Sequence, residues 1–141
     1  MLTITQKTLV QDSFAIIAPI ADDAAALFYR RLFELDPSLV HMFRGDAAEQ
    51  RKKLMQMLSA AVKGLDRLDL LVPAVEHLGR RHARYGVTDA HYETVGAALL
   101  WTLEKGLGTA FDDQMKDAWA AVYSLLATTM KGAARTALRA A

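Results

Sequence analysis

The sequence contains no cysteine. Disulfides, cysteine-based zinc sites and thiol nucleophiles are therefore excluded, and a reducing compartment is permitted. Proline is scarce, with only Pro19, Pro37 and Pro73. An excess of one charge is also missing: 17 Lys and Arg against 16 Asp and Glu leave a formal charge of +1. Nothing in that balance draws the chain to nucleic acid or to an anionic membrane. No uncharged apolar run reaches the roughly 18 residues that a membrane span needs. The start, Met1 to Phe14, has neither the long apolar stretch nor the small-residue cleavage site of a signal peptide. Internal repeats and low-complexity tracts are absent. The expectation is one cytoplasmic domain over residues 1–141, a monomer or a homodimer.

Apolar residues, by contrast, make up 52% of the chain. They recur at helical spacing almost throughout, with no run of strict two-residue alternation, so an all-α fold is expected. Thr3-Ile4-Thr5-Gln6 offers a capping box for a helix from about residue 5 to 18. A second helix follows Asp22 and stops before Pro37, and a short turn of helix fits Pro37 to Phe43. Asp46 caps a helix running to Gly64, after which an extra turn could fall between Leu65 and Leu71. Val72 and Pro73 open the next helix, which ends near Tyr85-Gly86. Thr88 or Asp89 caps a long helix ending around Gly106 to Gly108, and Asp112 caps the last. The unequal lengths and short links suit a compact helical domain better than an even four-helix bundle.

Positions three and four apart share a helix face. Val75, Leu78, Gly79, His82 and Tyr85 form one stripe, which turns His82 inward. His77 falls among Arg80, Arg81 and Arg84, off that face, so the two histidines do not share a metal as an i,i+4 pair would. Ala25, Phe28, Tyr29, Leu32 and Phe33 make a second stripe, and Gln50, Leu54, Met57, Leu58 and Ala61 a third whose only polar member is Gln50. Tyr92, Val95, Gly96, Leu99 and Leu103 form a fourth, and Trp119, Val122, Tyr123, Leu126 and Met130 the last. Each inward polar group has an ordinary reading: a satisfied core histidine, a packing tyrosine with one hydrogen bond, a glutamine bridging a loop. Together they also suit a large apolar cofactor with one nitrogen donor on one side and a polar group on the other. Lys131, Arg135 and Arg139 are spaced four apart on the last helix, as a solvated face or as a docking stripe for a reductase or membrane.

The run Leu78-Gly79-Arg80-Arg81-His82-Ala83-Arg84-Tyr85-Gly86-Val87 resembles the proximal segment of globins, notably neuroglobin and the single-domain bacterial haemoglobins of the flavohaemoglobin group. Tyr92-Glu93-Thr94-Val95-Gly96 and Ala118-Trp119-Ala120-Ala121-Val122-Tyr123 continue the likeness. Leu27 to Phe33 and Asp36-Pro37-Ser38-Leu39-Val40-His41-Met42-Phe43 match the family's second helix and the corner after it. The resemblance covers nearly the whole chain and implies a globin fold around haem b. It makes His82 the iron ligand, its second ring nitrogen donating to a carbonyl such as that of Leu78. It places Phe43, Leu54, Leu78, Val87, Tyr92 and Val95 against the haem, with Lys53 or Arg81 near the haem carboxylates. Tyr29 and Gln50 become the distal pair beside a bound gas, Gln50 standing where neuroglobin carries a histidine, after a short loop from Phe43. The Gln50 amide could reach the guest or hold the Tyr29 hydroxyl.

The implied activity is reversible binding of O2 with high affinity, with NO, CO or sulfide as other guests. Nitric oxide dioxygenation through an external reductase is the enzymatic alternative, and gas sensing or partner binding a further one. In flavohaemoglobins a proximal tyrosine and glutamate enrich the iron with electron density. Tyr92 matches the tyrosine, but Ala134 lies near the glutamate's place and no Glu follows Glu104. The proximal relay is therefore expected to be incomplete.

Overall fold

The computed structural model describes the backbone of residues 2–140 and the side chains of residues 2–136. Six α-helices and three 3-10 turns account for nearly all of the described chain, and no strand occurs among the described residues. Helix α1 (Ile4–Ile17) begins at the expected capping box: the Thr3 hydroxyl accepts from the Gln6 backbone N–H and the Gln6 side chain accepts from that of Thr3. A 3-10 turn through Pro19 leads directly into α2 (Ala21–Leu35). This helix starts one residue before Asp22. Asp22 lies in the first turn and pairs with Arg51 at 2.9 Å rather than capping. Asp36 caps the 3-10 turn Pro37–Met42, accepting from the backbone N–H and hydroxyl of Ser38.

Asp46 caps α3 (Ala47–Gly64) by accepting from the Ala48 N–H. Helix α4 (Leu68–Arg84) departs from expectation, because it starts before Pro73 and carries that proline inside. The extra turn sought around Leu65 to Leu71 is partly its opening turn. Pro73 cannot donate to the Asp69 carbonyl, but Asp69 is exposed and close to the helix start, so water can replace the lost bond. The helix stops at Gly86, whose φ of +87° reverses the chain and lets Val87 N–H reach back to the His82 carbonyl at 3.1 Å. Thr88 and His91 form a capping box at the start of α5 (Asp89–Leu107). Asp112 accepts from Met115 N–H at the head of α6 (Asp113–Ala140). Arg139 lies outside the described side chains.

Helix α4 packs chiefly on α6, α2 on α5, and α1 on α6. The first contact is backbone-close. A Cβ on Gly79 would lie 2.6 Å from the Met130 Cα and 2.8 Å from its carbonyl carbon. Gly96 serves a different purpose. It makes room for the Tyr123 ring, which a Cβ would meet at 2.8 Å. Trp119, 1% exposed, donates from its indole to the buried Ser13 hydroxyl at 2.9 Å, and Ser13 donates in turn to the Val10 carbonyl. Two buried polar groups are thereby satisfied at once. Two inward assignments fail. Tyr85 is 67% exposed and Met57 41% exposed. Tyr85 is the C-cap, where the helix is already unwinding, and Val62 and Leu65 carry the buried contacts of the α3 end instead.

Gly79→Ala forces α4 off α6 and should lower stability by about 3 kcal/mol in urea denaturation. Gly132, mid-helix with nothing within 4 Å of a built Cβ, is the control. Gly132→Ala should raise stability by about 0.5–1 kcal/mol.

Candidate functional site

The His82 Nδ1 lies 2.9 Å from the Leu78 carbonyl oxygen, one turn back on α4. A carbonyl only accepts, so Nδ1 carries the proton and Nε2 keeps its lone pair. Burial pushes the imidazole below the usual histidine range and the positive charge of Arg81 adds to that, while the Leu78 bond opposes it. The net shift is downward, so the neutral ring with a free Nε2 is favoured. Among the described residues Nε2 has no hydrogen-bond partner. No group of three or more His, Asp or Glu is placed there to complete a protein-only metal site. An imidazole so prepared suits a metal whose other ligands come from a cofactor.

The apolar interior is divided into two clusters. One gathers Phe28, Leu32, Leu39 and Ala98, with Tyr29, Phe33, Phe43, Leu54 and Val95 packed against them. The other includes Val75, Tyr92, Trp119 and Met130, with Leu78 and Val87 against them. The side chains expected to touch a haem therefore fall on both sides of the division. Phe43, Leu54, Leu78, Val87 and Val95 are only half-buried, although apolar and within the fold. Helices α3 and α4 touch only sparsely. A large apolar group between the two helices would cover these surfaces, and His82 would supply a nitrogen donor to its metal, so the residues present fit a haem. Lys53 and Arg81 are exposed and form no ion pair among the described residues, which leaves both cations free for carboxylates.

Tyr29 stands in an aromatic group. Its ring meets Phe28 and Phe43 edge-on, at 5.2 and 5.3 Å between centroids, and Phe33 at 6.1 Å. Phe43 also meets Phe33 edge-on. The short loop from Phe43 to Asp46 thereby delivers Phe43 onto the ring whose hydroxyl matters. That hydroxyl donates to the backbone carbonyl of Gln50 at 3.3 Å. Burial pushes the Tyr29 phenol above its usual pKa, so it stays a donor at physiological pH. The Gln50 amide does not hold the tyrosine. It donates to the Arg44 carbonyl at 2.8 Å, because the compressed loop brings that carbonyl back over the start of α3. Tyr29 and Gln50 are therefore neighbours through main chain rather than through a side-chain pair.

On α5, Tyr92 is 7% exposed, and its backbone carbonyl accepts from the Tyr123 hydroxyl at 2.5 Å. Sequence reasoning missed that bond, and the signal for it was Gly96, one turn after Tyr92. Lys131 places its ammonium 5.6 Å from the centre of the Tyr92 ring. An acid acts on Tyr92 as well: burial, and after it the Asp89 carboxylate, pushes the Tyr92 phenol above its usual pKa. An open groove of about 780 Å³ lies elsewhere, between the outer face of α3 and the α1–α2 corner, lined by Phe14, Ala18, Arg51 and Met55 among others. It does not include His82 or Tyr29.

Comparison with known proteins agrees with this arrangement. The family model described as Globin matches residues 26–130. Neuroglobin from Danio rerio is 33% identical, over 88% of this chain and 87% of its own. A flavohemoprotein from Bordetella parapertussis is 30% identical over the whole of this chain, which spans only 36% of that protein's length. A bacterial globin from Campylobacter jejuni superposes with a TM-score of 0.85 at 25% identity, covering 97% of this chain and 99% of the other. The lone prepared imidazole, the divided apolar core and these likenesses converge: the chain belongs to the globin family, and is a haem-binding globin.

Proposed function

We propose that His82 holds the iron of haem b through Nε2 and that the protein binds O2 reversibly and tightly, with NO, CO or sulfide as further guests. The observation that carries the reading is the His82–Leu78 hydrogen bond, which leaves Nε2 unprotonated on a helix whose neighbouring apolar side chains, Leu78 and Val87, are half-buried. When bound, the haem supplies the metal that takes the gas, and the chain decides how firmly the guest is kept.

Tyr29 is the lead donor to that guest. An O–H···O bond of 3.3 Å is long against the usual 2.7–2.8 Å. The hydroxyl can therefore turn from the Gln50 carbonyl to a better acceptor at small loss. A donor facing an electron-rich guest slows its departure more than it speeds its arrival. Gln50 takes the second place, since its amide must first leave Arg44. Phe43, Leu54, Leu78, Val87, Tyr92 and Val95 exclude water from the haem faces, and Lys53 or Arg81 meets its carboxylates.

Nitric oxide dioxygenation with an external reductase is the second reading, favoured by the flavohemoprotein relatives. Ala134 near the place of the proximal glutamate, with no Glu after Glu104, argues against it as the main role. Turnover of NO with a supplied reductant, compared with simple O2 release, decides between the two.

The purified ferrous protein should show a five-coordinate spectrum that converts to a stable oxy form. A six-coordinate ferrous spectrum would remove the open site. Tyr29→Phe should raise the O2 dissociation rate about tenfold or more, and an unchanged rate would take Tyr29 out of the mechanism. His82→Ala should purify without haem, or lose it to an acceptor protein far faster. Because burial lowers the His82 pKa, the neutral ring persists to lower pH than a free histidine. Haemin uptake by the apoprotein should therefore hold as pH falls into the usual histidine range and weaken only below it.

A further inference from the structure

We infer that the outward face of α4, built on Arg80 and Arg84 with His77 one turn before and Arg81 at its edge, is the docking face for an acidic one-electron donor protein. Residues 77, 80 and 84 are spaced three and four apart, so they share one stripe. All four side chains are exposed. Five ion pairs occur among the described residues, and none uses Arg80, Arg81 or Arg84. The nearest acids do not neutralise the stripe. Glu76, four residues before Arg80, borders the stripe but forms no ion pair with it, and Asp89 is held by Arg135 at 2.8 Å. In a chain of formal charge +1 such a face does not follow from overall basicity. Its guanidinium forks match carboxylates.

Position gives the stripe its meaning. It faces roughly away from the side of α4 that carries Val75, Gly79 and His82. A donor seated there is separated from the imidazole by one helix, roughly 10–12 Å across with side chains. The inference rests on the haem reading of His82, because an electron needs an iron to reach. With haem bound, the donor would give up one electron and the ferric iron would take it up, with no transfer of a proton or group. From residue 77 to 84 the stripe is only about 10 Å long. That matches an acidic patch on a protein. Three basic side chains at about 1 kcal/mol each would hold a bilayer surface weakly.

The test uses the ferric holoprotein, a flavodoxin of strongly negative charge in its fully reduced form, and the uncharged semiquinone of deazariboflavin, generated in place by a light flash, as the control one-electron reductant. Stopped-flow reduction by flavodoxin and flash-initiated reduction by deazariboflavin are followed at rising salt for the native protein and for Arg80→Glu/Arg84→Glu, with calorimetric titration of oxidised flavodoxin onto each. The flavodoxin rate should fall tenfold or more in the variant and lose its salt dependence, and the calorimetric affinity should fall in parallel. Deazariboflavin reduction, the O2 dissociation rate and the melting temperature should not change. Equal flavodoxin rates in the two proteins overturn the inference. So does a matching loss with both reductants, which would place the arginines in the pocket's integrity. Charge-dependent binding to phosphatidylglycerol vesicles without any change in flavodoxin rate also overturns it, in favour of a lipid surface. A protein that purifies without a haem absorption band even after haemin addition fails at the earlier step, before docking is measured.

Discussion

One hydrogen bond, from His82 Nδ1 to the Leu78 carbonyl, governs the site. It is worth only about 1 kcal/mol to the fold, yet it decides which ring nitrogen keeps its lone pair and fixes the plane of the imidazole. The bond depends on a regular helical turn at Leu78, and that turn depends on α4 lying flat against α6. Gly79 permits the contact by presenting no side chain to the Met130 backbone. At the other end, the chain reversal at Gly86 returns the Val87 N–H to the His82 carbonyl. The functional ring is thus held by backbone closure on one side and helix packing on the other.

The opposite wall is held less tightly. Helix α3 touches α4 sparsely, and Leu54 and Leu58 are only half-buried. Its head is anchored by polar contacts: Arg51 to Asp22, the Gln50 amide to Arg44, and the Tyr29 hydroxyl to the Gln50 carbonyl. Exposed or part-buried polar contacts are weaker and more exchangeable than interdigitated core packing. The asymmetry suits the proposed roles of the two walls, a fixed side that would hold the metal and a yielding side that would hold the guest. Tyr29 is steadied within this looser wall by its aromatic neighbours, which restrain the ring and leave the hydroxyl free to change acceptors.

The helices, most of their caps and the inward turn of His82 and Tyr29 were legible because they depend on local rules. Thr3, Asp46, Thr88 and Asp112 all sit where a side chain satisfies the first free N–H groups of a helix. The start of α4 was misplaced because Pro73 favours a helix beginning but is tolerated early inside one, and packing of Leu71 tipped the balance. Tyr85 was misplaced because periodicity assumes a helix that continues, whereas this one ends there. The Arg44 carbonyl as acceptor for Gln50 was not legible because it lies across a loop, and a loop's path is not written in helical spacing.

By itself the sequence determined an all-helical chain with one inward histidine, an inward tyrosine and no cysteine chemistry, since composition and 3.6-residue periodicity act within a few turns of chain. Only the tertiary structure decided which distant groups meet: Trp119 with Ser13, Tyr123 with the Tyr92 carbonyl, Lys131 over the Tyr92 ring. It also decided that the apolar interior divides in two, with His82 on α4, the helix that α3 barely touches. Those outcomes depend on how helices cross, and crossing is set by the close packing of whole surfaces, which no local pattern encodes.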